Sequence, residues 1–217
     1  MKATENEKIA IAVFAKAPIP GLAKTRMIPK LGAVGAAGLQ KTLLQRTLKT
    51  VVAAQLGPVS LWCAPSRDHP AFRACQDEWG VSLFDQQGAD LGMRMLQAFS
   101  VLCPDGPVLL VGTDCPALSV ATLQLAADAL RGSKDAVFLP AEDGGYVLIG
   151  LRRPEPLLFT DMPWGTDRVM AETRERLSRL GWHWVEPAIL WDVDRPEDLD
   201  RLRASGLLDE WFRETGF

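Results

Sequence analysis
Ile9-Ala-Ile-Ala-Val-Phe14 runs without a break into Ala15–Lys30, AKAPIPGLAKTRMIPK. The first run is apolar and of strand length. The second holds four cations, three prolines, one glycine and no carboxylate. Proline fixes φ and so stiffens the connection. A stiff cationic loop at the carboxyl end of a strand is where an α/β protein holds phosphate groups. The whole chain carries a formal net charge of −3, so the positive charge gathered here calls for a local partner. A solvated connection whose lysines only aid solubility is the bland alternative, and the prolines and missing acids weigh against it. Lys16, Lys24 and Arg26 are the cations suited to an anionic ligand, with Lys30 a bystander.

Beyond this loop, strand and helix patterns alternate. Leu39, Leu43, Leu44, Thr47, Leu48, Val51 and Val52 form one stripe of a helix over roughly residues 33–55. Strands follow at Val59–Cys63 and Val81–Phe84, with a helix from Pro70 to Trp79 between them. Asp90 to Cys103 reads as a helix with Leu91, Met95 and Ala98 facing inward. Val108–Val111 is a continuous apolar strand of the kind buried on both faces of a parallel sheet. Ser119 is placed to cap a helix ending near Arg131. Ala136–Leu139 and Tyr146–Ile149 are strands parted by Glu-Asp-Gly-Gly. Thr166 suits the N-cap of a helix ending near Gly181, and the last strand includes Ile189–Trp191. This order predicts a three-layer α/β/α sandwich with a mainly parallel central sheet. No linker or repeat divides residues 1–217, so a single domain is expected.

Composition narrows the function. The chain of 217 residues is 47% hydrophobic and 24% charged, with no apolar run of membrane-span length. The N-terminal MKATENEKIA lacks the apolar core of a secretory leader, and a cytoplasmic location is the expectation. Mild net acidity argues against nucleic acid as a partner. Cys63, Cys75, Cys103 and Cys115 are widely spaced, which favours reduced, mostly buried thiols. Two histidines, His69 and His183, supply zinc chemistry and serine triads poorly. Gly21-Leu-Ala-Lys24-Thr25 is not a Walker loop, because Ala23 stands where glycine is needed. Glycines 32, 35 and 38 do not make the dinucleotide fingerprint.

Two acidic constellations complete the pattern. Val111-Gly-Thr-Asp114-Cys-Pro116 puts a carboxylate at the tip of the apolar strand, where it suits Mg²⁺ or Mn²⁺ or merely caps a turn. In Trp191-Asp192-Val193-Asp194-Arg-Pro-Glu-Asp198, Asp192 and Asp194 share one side if the stretch is extended. Glu197 and Asp198 read as helix caps, with Pro196 at the first helical position.

The ordered set K-x-P-x-P-G-x-x-K-T-R, G-x-D-L-G-x-R-M, G-T-D-C-P, D-G-G-Y-x-L-I-G, W-G-T and D-V-D-x-P-E-D-L spans Phe14 to Leu199. It resembles a branch of the nucleotide-diphospho-sugar transferase (GT-A) superfamily whose members are usually described as glycosyltransferases, some linked to arsenosugar biosynthesis. The chain is also similar to 2-phospholactate guanylyltransferase and to molybdenum-cofactor and sugar-acid nucleotidyltransferases. The resemblance implies a nucleotide site made by Lys16, Pro20, Gly21, Lys24, Thr25 and Arg26, with Gln87, Gly88, Asp90, Gly92 and Arg94 near the base and ribose. It implies metal ligation of Mg²⁺ or Mn²⁺ by Asp114 and Asp194. Asp143, Gly144, Gly145 and Tyr146, with Trp164, Gly165 and Thr166, would bound a sugar or acceptor pocket. The catalytic set is then Lys24, Arg26, Asp114 and Asp143. Arg94 on a helix surface, Trp164 as packing and Thr166 as a cap are the ordinary alternatives. Two departures stand out: only Asp114 is acidic where D-x-D is common, and Arg195 replaces the usual threonine before Pro-Glu-Asp-Leu.

The resemblance leaves two reactions open. In glycosyl transfer to a small molecule, cations and metal stabilise a departing nucleoside diphosphate, and an inverting reaction needs a base for the acceptor hydroxyl. In nucleotidyl transfer, a phosphate or carboxylate attacks an NTP, pyrophosphate leaves, and positioning with electrostatics suffices. The cationic loop suits a triphosphate, whereas D-G-G-Y and W-G-T pull toward the glycosyltransferase branch, which is the first expectation. A nucleotide-binding module without turnover is the third, and the pairing of Asp114 with Asp194 argues against it.

Overall fold
The computed structural model describes residues 7–216. Met1–Asn6, within the stretch read above for a leader, and Phe217 lie outside the described residues. Seven strands form one sheet in the order β3-β2-β1-β4-β6-β5-β7. They are β1 (Ala10–Lys16), β2 (Val59–Ala64), β3 (Ser82–Asp85), β4 (Val108–Gly112), β5 (Ala136–Pro140), β6 (Tyr146–Leu151) and β7 (Trp184–Val185). The pairs β1–β2, β2–β3, β1–β4 and β5–β7 are parallel. β6 alone runs against its neighbours β4 and β5. It does so because Glu142-Asp-Gly-Gly145 is too short for a crossover and folds β5 and β6 into a hairpin. The expected mainly parallel α/β architecture is what the chain adopts.

Helices cover both faces. Alternate β1 residues Ile11, Val13 and Ala15 pack with α1 (Ile28–Ala53), α2 (Pro70–Trp79) and α4 (Val120–Arg131). Ala12 and Phe14 face the opposite way, toward α3 (Leu91–Leu102) and α5 (Val169–Leu180). The period of two across a strand thus assigns each residue its layer. A third cluster joins the first half of α1 to α6 (Asp198–Ala204) and α7 (Asp209–Thr215) through Met27, Leu39, Val193, Leu202 and Trp211. Among the described residues, no helix is long and apolar enough to cross a membrane.

Several local expectations differ in the structure. α1 begins at Ile28 with a short turn, then kinks at Gly32, whose φ of 67° lies in the left-handed region; the continuous stripe starts after the kink. Leu91 is 45% exposed rather than inward-facing, because it opens α3 beside a cavity, while Met95 and Ala98 are buried. Thr166 does not cap α5. Arg168 occupies the N-cap, and the Thr166 hydroxyl donates to Pro163 O and accepts from Arg168 N within the preceding turn. Ile189–Trp191 forms only an isolated bridge, Leu190 to Ala141; the edge strand is Trp184–Val185. Pro196 is not at a first helical position. It lies in the turn ahead of α6, which starts at Asp198 with Glu197 at its N-cap.

Two consequences follow for stability and reactivity. The Arg176 guanidinium is buried and donates to Glu172 Oε1 (2.8 Å) and to the carbonyls of Leu157 (2.7 Å), Thr160 and Asp161 (3.0 Å). It thereby ties the segment before Trp164 to α5. Arg176→Met is expected to lower stability by about 2–4 kcal/mol, since four partly buried acceptors lose their donor at once; chemical denaturation measures it. Burial pushes the thiols of Cys63, Cys103 and Cys115 up to about 12 and that of Cys75 to about 11. A rise from an ordinary value near 9 to 12 cuts the thiolate fraction at pH 8 about a thousandfold. All four cysteines are free, so a thiol-specific chromogenic reagent should titrate four thiols after unfolding and almost none before.

Candidate active site
β1 and β4 are adjacent and parallel, so their carboxyl ends deliver Lys16 and Asp114 to the same edge of the sheet. After β1 the chain turns back on itself, with Leu22 N and Ala23 N both donating to Ile19 O. Gly21 (φ 86°) supplies the bend, and Lys24 itself adopts a left-handed conformation (φ 48°) before the short 3-10 turn Thr25–Met27. This geometry drives the Lys24 side chain inward, to 3% exposure. Its ammonium sits 2.7 Å from Asp114 Oδ1 and donates to Val193 O. Val193 N in turn donates to Asp114 O at 2.8 Å. Two residues further on, Arg26 pairs with Asp194 through Nη1 and Oδ2. Asp198 Oδ2 accepts from Asp194 N (2.9 Å) and Arg195 N (2.7 Å), so it caps the turn that presents Asp194. Arg195 is exposed and does not line the cavity.

These groups surround a cavity of about 530 Å³. Its lining includes Lys16, Lys24, Thr25 and Arg26 together with Asp114, Asp143, Asp192 and Asp194. The carboxyl of Asp192 departs from its ordinary value. Burial pushes it up to about 6, with further upward pressure from the charges of Asp143 and Asp114. Asp143 Oδ1 accepts from Gly145 N at 2.9 Å, which closes the turn between β5 and β6. Gly144 has φ 92° there, and its carbonyl accepts from Met170 N at 2.8 Å, docking the turn on the start of α5.

The sequence-derived candidates divide. Lys16, Lys24, Thr25, Arg26, Asp114, Asp143, Gly145, Tyr146 and Asp194 come together at this cavity, whereas Pro20, Gly21 and Gly144 shape its loops without lining it. Gln87, Gly88, Asp90, Gly92 and Arg94 do not line it either. Asp90 caps α3 by accepting from Met93 N (2.8 Å), and Arg94 Nε donates to Gly88 O (3.2 Å). Gly92 is buried; a Cβ there would lie 2.4 Å from Phe159 O and 2.7 Å from Trp164 Nε1. Its smallness lets α3 pack on the Trp164 loop. The same segment reaches the cavity through Gln86 and Leu91 instead. Gln86 is held by hydrogen bonds to Ala15 O (3.3 Å) and Trp62 O (2.9 Å). Gln40, a buried residue of α1 bonded to Thr113 Oγ1 (3.1 Å), also lines it. Neither glutamine carries a local signal; Asp192 was visible only as the alternating partner of Asp194. Trp164, Gly165 and Thr166 line a second, smaller cavity beside the first. Among the described residues, no group of three or more His, Cys, Asp or Glu side chains is arranged to hold a metal ion.

A protein-family model described as uncharacterized proteins conserved in bacteria (DUF2064) matches residues 47–166, more than half of the chain. The chain belongs to the DUF2064 family. The crystal structure of a proposed nucleotide-diphospho-sugar transferase from Desulfovibrio desulfuricans G20 superposes on this family member with a TM-score of 0.82 at 30% identity, covering 94% of this chain and 90% of that one. More distant structures share the fold. A cytidylyltransferase from Leptospira borgpetersenii matches at TM-score 0.61 and 16% identity, over 96% of this chain and 95% of its own. Glucosyl-3-phosphoglycerate synthase from Mycobacterium tuberculosis, solved with Mn²⁺, UDP and glucosyl-3-phosphoglycerate, matches at 0.56 and 10%, over 99% and 82%. No curated protein matches the sequence. The fold of this DUF2064 member is thus that of the nucleotide-diphospho-sugar transferases.

Proposed function
We propose that the chain is a metal-dependent glycosyltransferase that moves a sugar from a nucleoside-diphosphate sugar to a small-molecule acceptor. The observation that carries this reading is the charge of the larger cavity, where three cations, two of them already paired with aspartates, face four carboxylates. Such a cavity does not draw a polyphosphate by itself; with a divalent cation added it does. The donor set fits Mg²⁺ or Mn²⁺, hard ions commonly held by one or two carboxylates with phosphate oxygens and water completing the shell. The upward pressure on Asp192 from neighbouring carboxylates is the kind of crowding that a divalent cation relieves. Asp114 and Asp192 are the residues that would hold it. Asp194, the sequence-derived second ligand, is engaged by Arg26 and orients that guanidinium. When bound, the ion supplies Lewis-acid stabilisation of charge on the departing diphosphate. Lys16 and Arg26 contact the diphosphate, Lys24 keeps Asp114 in position, and Asp143 accepts the proton of the acceptor hydroxyl.

Nucleotidyl transfer is favoured by one feature, the three cations of the same cavity, which suit a triphosphate. The two readings separate by product. The full chain is incubated with Mn²⁺ or Mg²⁺ and panels of NTPs and NDP-sugars, and thermal shift, released NDP and released pyrophosphate are measured. Stabilisation by an NDP-sugar with NDP release is the expected result. Pyrophosphate release from an NTP reassigns the reaction, and the absence of any metal-dependent nucleotide binding refutes both.

A further inference from the structure
The second cavity, about 220 Å³, adjoins the first and shares Phe14, Gly112, Asp143 and Tyr146 with it. Its own walls are Met95, Leu110, Ile149 and Val169, with Trp164 and Thr166 at the loop before α5. Two of its properties bear on what it takes. Asp143 is the one charged side chain among its lining residues. An anion entering an apolar cavity beside that carboxylate would lose its water, meet no cation and feel a like charge. The rest of its lining is mostly apolar, with Phe14, Leu91, Met95, Leu110, Ile149 and Val169 among its walls, which matches a ligand that is mostly hydrocarbon.

We propose that this cavity is the acceptor subsite and selects a compact, uncharged, largely apolar alcohol over any phosphorylated or carboxylated acceptor. The proposal rests on the glycosyltransferase reading above. In the step it implies, the alcohol oxygen bonds to the anomeric carbon of the donor sugar. The bond from that carbon to the diphosphate oxygen breaks, its electron pair leaves with the nucleoside diphosphate, and the hydroxyl proton passes to Asp143.

An isosteric pair tests the class directly: 4-methylbenzyl alcohol and 4-(hydroxymethyl)benzoate, each titrated into the full chain with Mn²⁺ and a stabilising NDP and followed by ligand-observed NMR. The alcohol is expected to bind at least tenfold more tightly than the carboxylate. Thr166→Arg adds a cation at the exposed rim of this cavity alone, and should narrow or invert that preference while leaving the NDP thermal shift unchanged. If Thr166→Arg does not fold, the wild-type comparison decides. Equal or tighter binding of the carboxylate, or no binding of the alcohol to a chain that does bind NDP, overturns this proposal and leaves the glycosyltransferase reading standing. Absence of NDP binding removes both.

Discussion
Asp114→Asn is expected to weaken metal-dependent nucleotide binding by about 100-fold, or about 2.8 kcal/mol, with little change in melting temperature. The carboxylate does two things. One oxygen is 2.7 Å from the buried Lys24 ammonium, and half of the side chain remains exposed to the cavity, at 49%. Asparagine keeps an oxygen for Lys24 but lacks the charge that a hard divalent cation requires. Asp114→Ala removes both functions. It leaves the ammonium with Val193 O as its remaining acceptor, so the fold itself should weaken as well, because an unpaired buried charge is costly. Calorimetric titration of Mn²⁺ with NDP, alongside thermal denaturation, separates the two effects. Wild-type affinity in Asp114→Asn would show that the metal assignment is mistaken.

Gly144→Ala should be the most damaging glycine-to-alanine change among the described residues. Gly144 has φ 92°, which an L side chain rarely adopts, and a Cβ there would lie 2.1 Å from Asp167 O and 2.6 Å from Asp167 Cα. Both obstacles are backbone, so no rotamer change relieves them. The strain and the forced displacement together predict a loss of about 3 kcal/mol or more, or failure to accumulate folded protein. The damage also reaches the site. The turn would have to lift from α5, breaking the Met170 N to Gly144 O bond and moving Asp143, which borders both cavities. Gly145→Ala is the matched comparison: its Cβ would meet only Asp143 Oδ1, at 3.3 Å, the end of an exposed side chain, and φ is not in the left-handed region. Denaturation midpoints of the two variants should differ widely. Similar midpoints would mean that the turn is not clamped against Asp167.

The readable part of the fold was the part encoded locally. Pro70–Trp79 and Val120–Arg131 announce their ends through His69 and Pro70, and through Ser119 with Thr122 in a capping box. The apolar runs of β1, β2 and β4 are unmistakable because both faces of a central strand are buried. Ile189–Trp191 misled because a hydrophobic triplet looks the same whether it ends as a ladder or as a single bridge. Thr166 misled because a threonine before a helix caps the turn it happens to reach, here that of Pro163–Arg168. The family motifs named Lys16, Lys24, Arg26, Asp114 and Asp194, which line one cavity, and also Gly88, Gly92 and Arg94, which make contacts within α3 and its approach loop and do not line that cavity.

The amino-acid sequence by itself determined the alternation of strands and helices, and with it a cationic loop at the sheet's carboxyl edge. Those features arise from period, capping and proline stiffness, which act over a few residues. The tertiary structure alone decided what the loop's charge means. Lys24 and Arg26 are not bare cations: each meets an aspartate from a distant part of the chain, Asp114 and Asp194, and Asp192 lines the same cavity. Charge balance in a cavity depends on which segments the fold brings within a few ångströms, and Coulomb energy falls with distance in space, not along the chain.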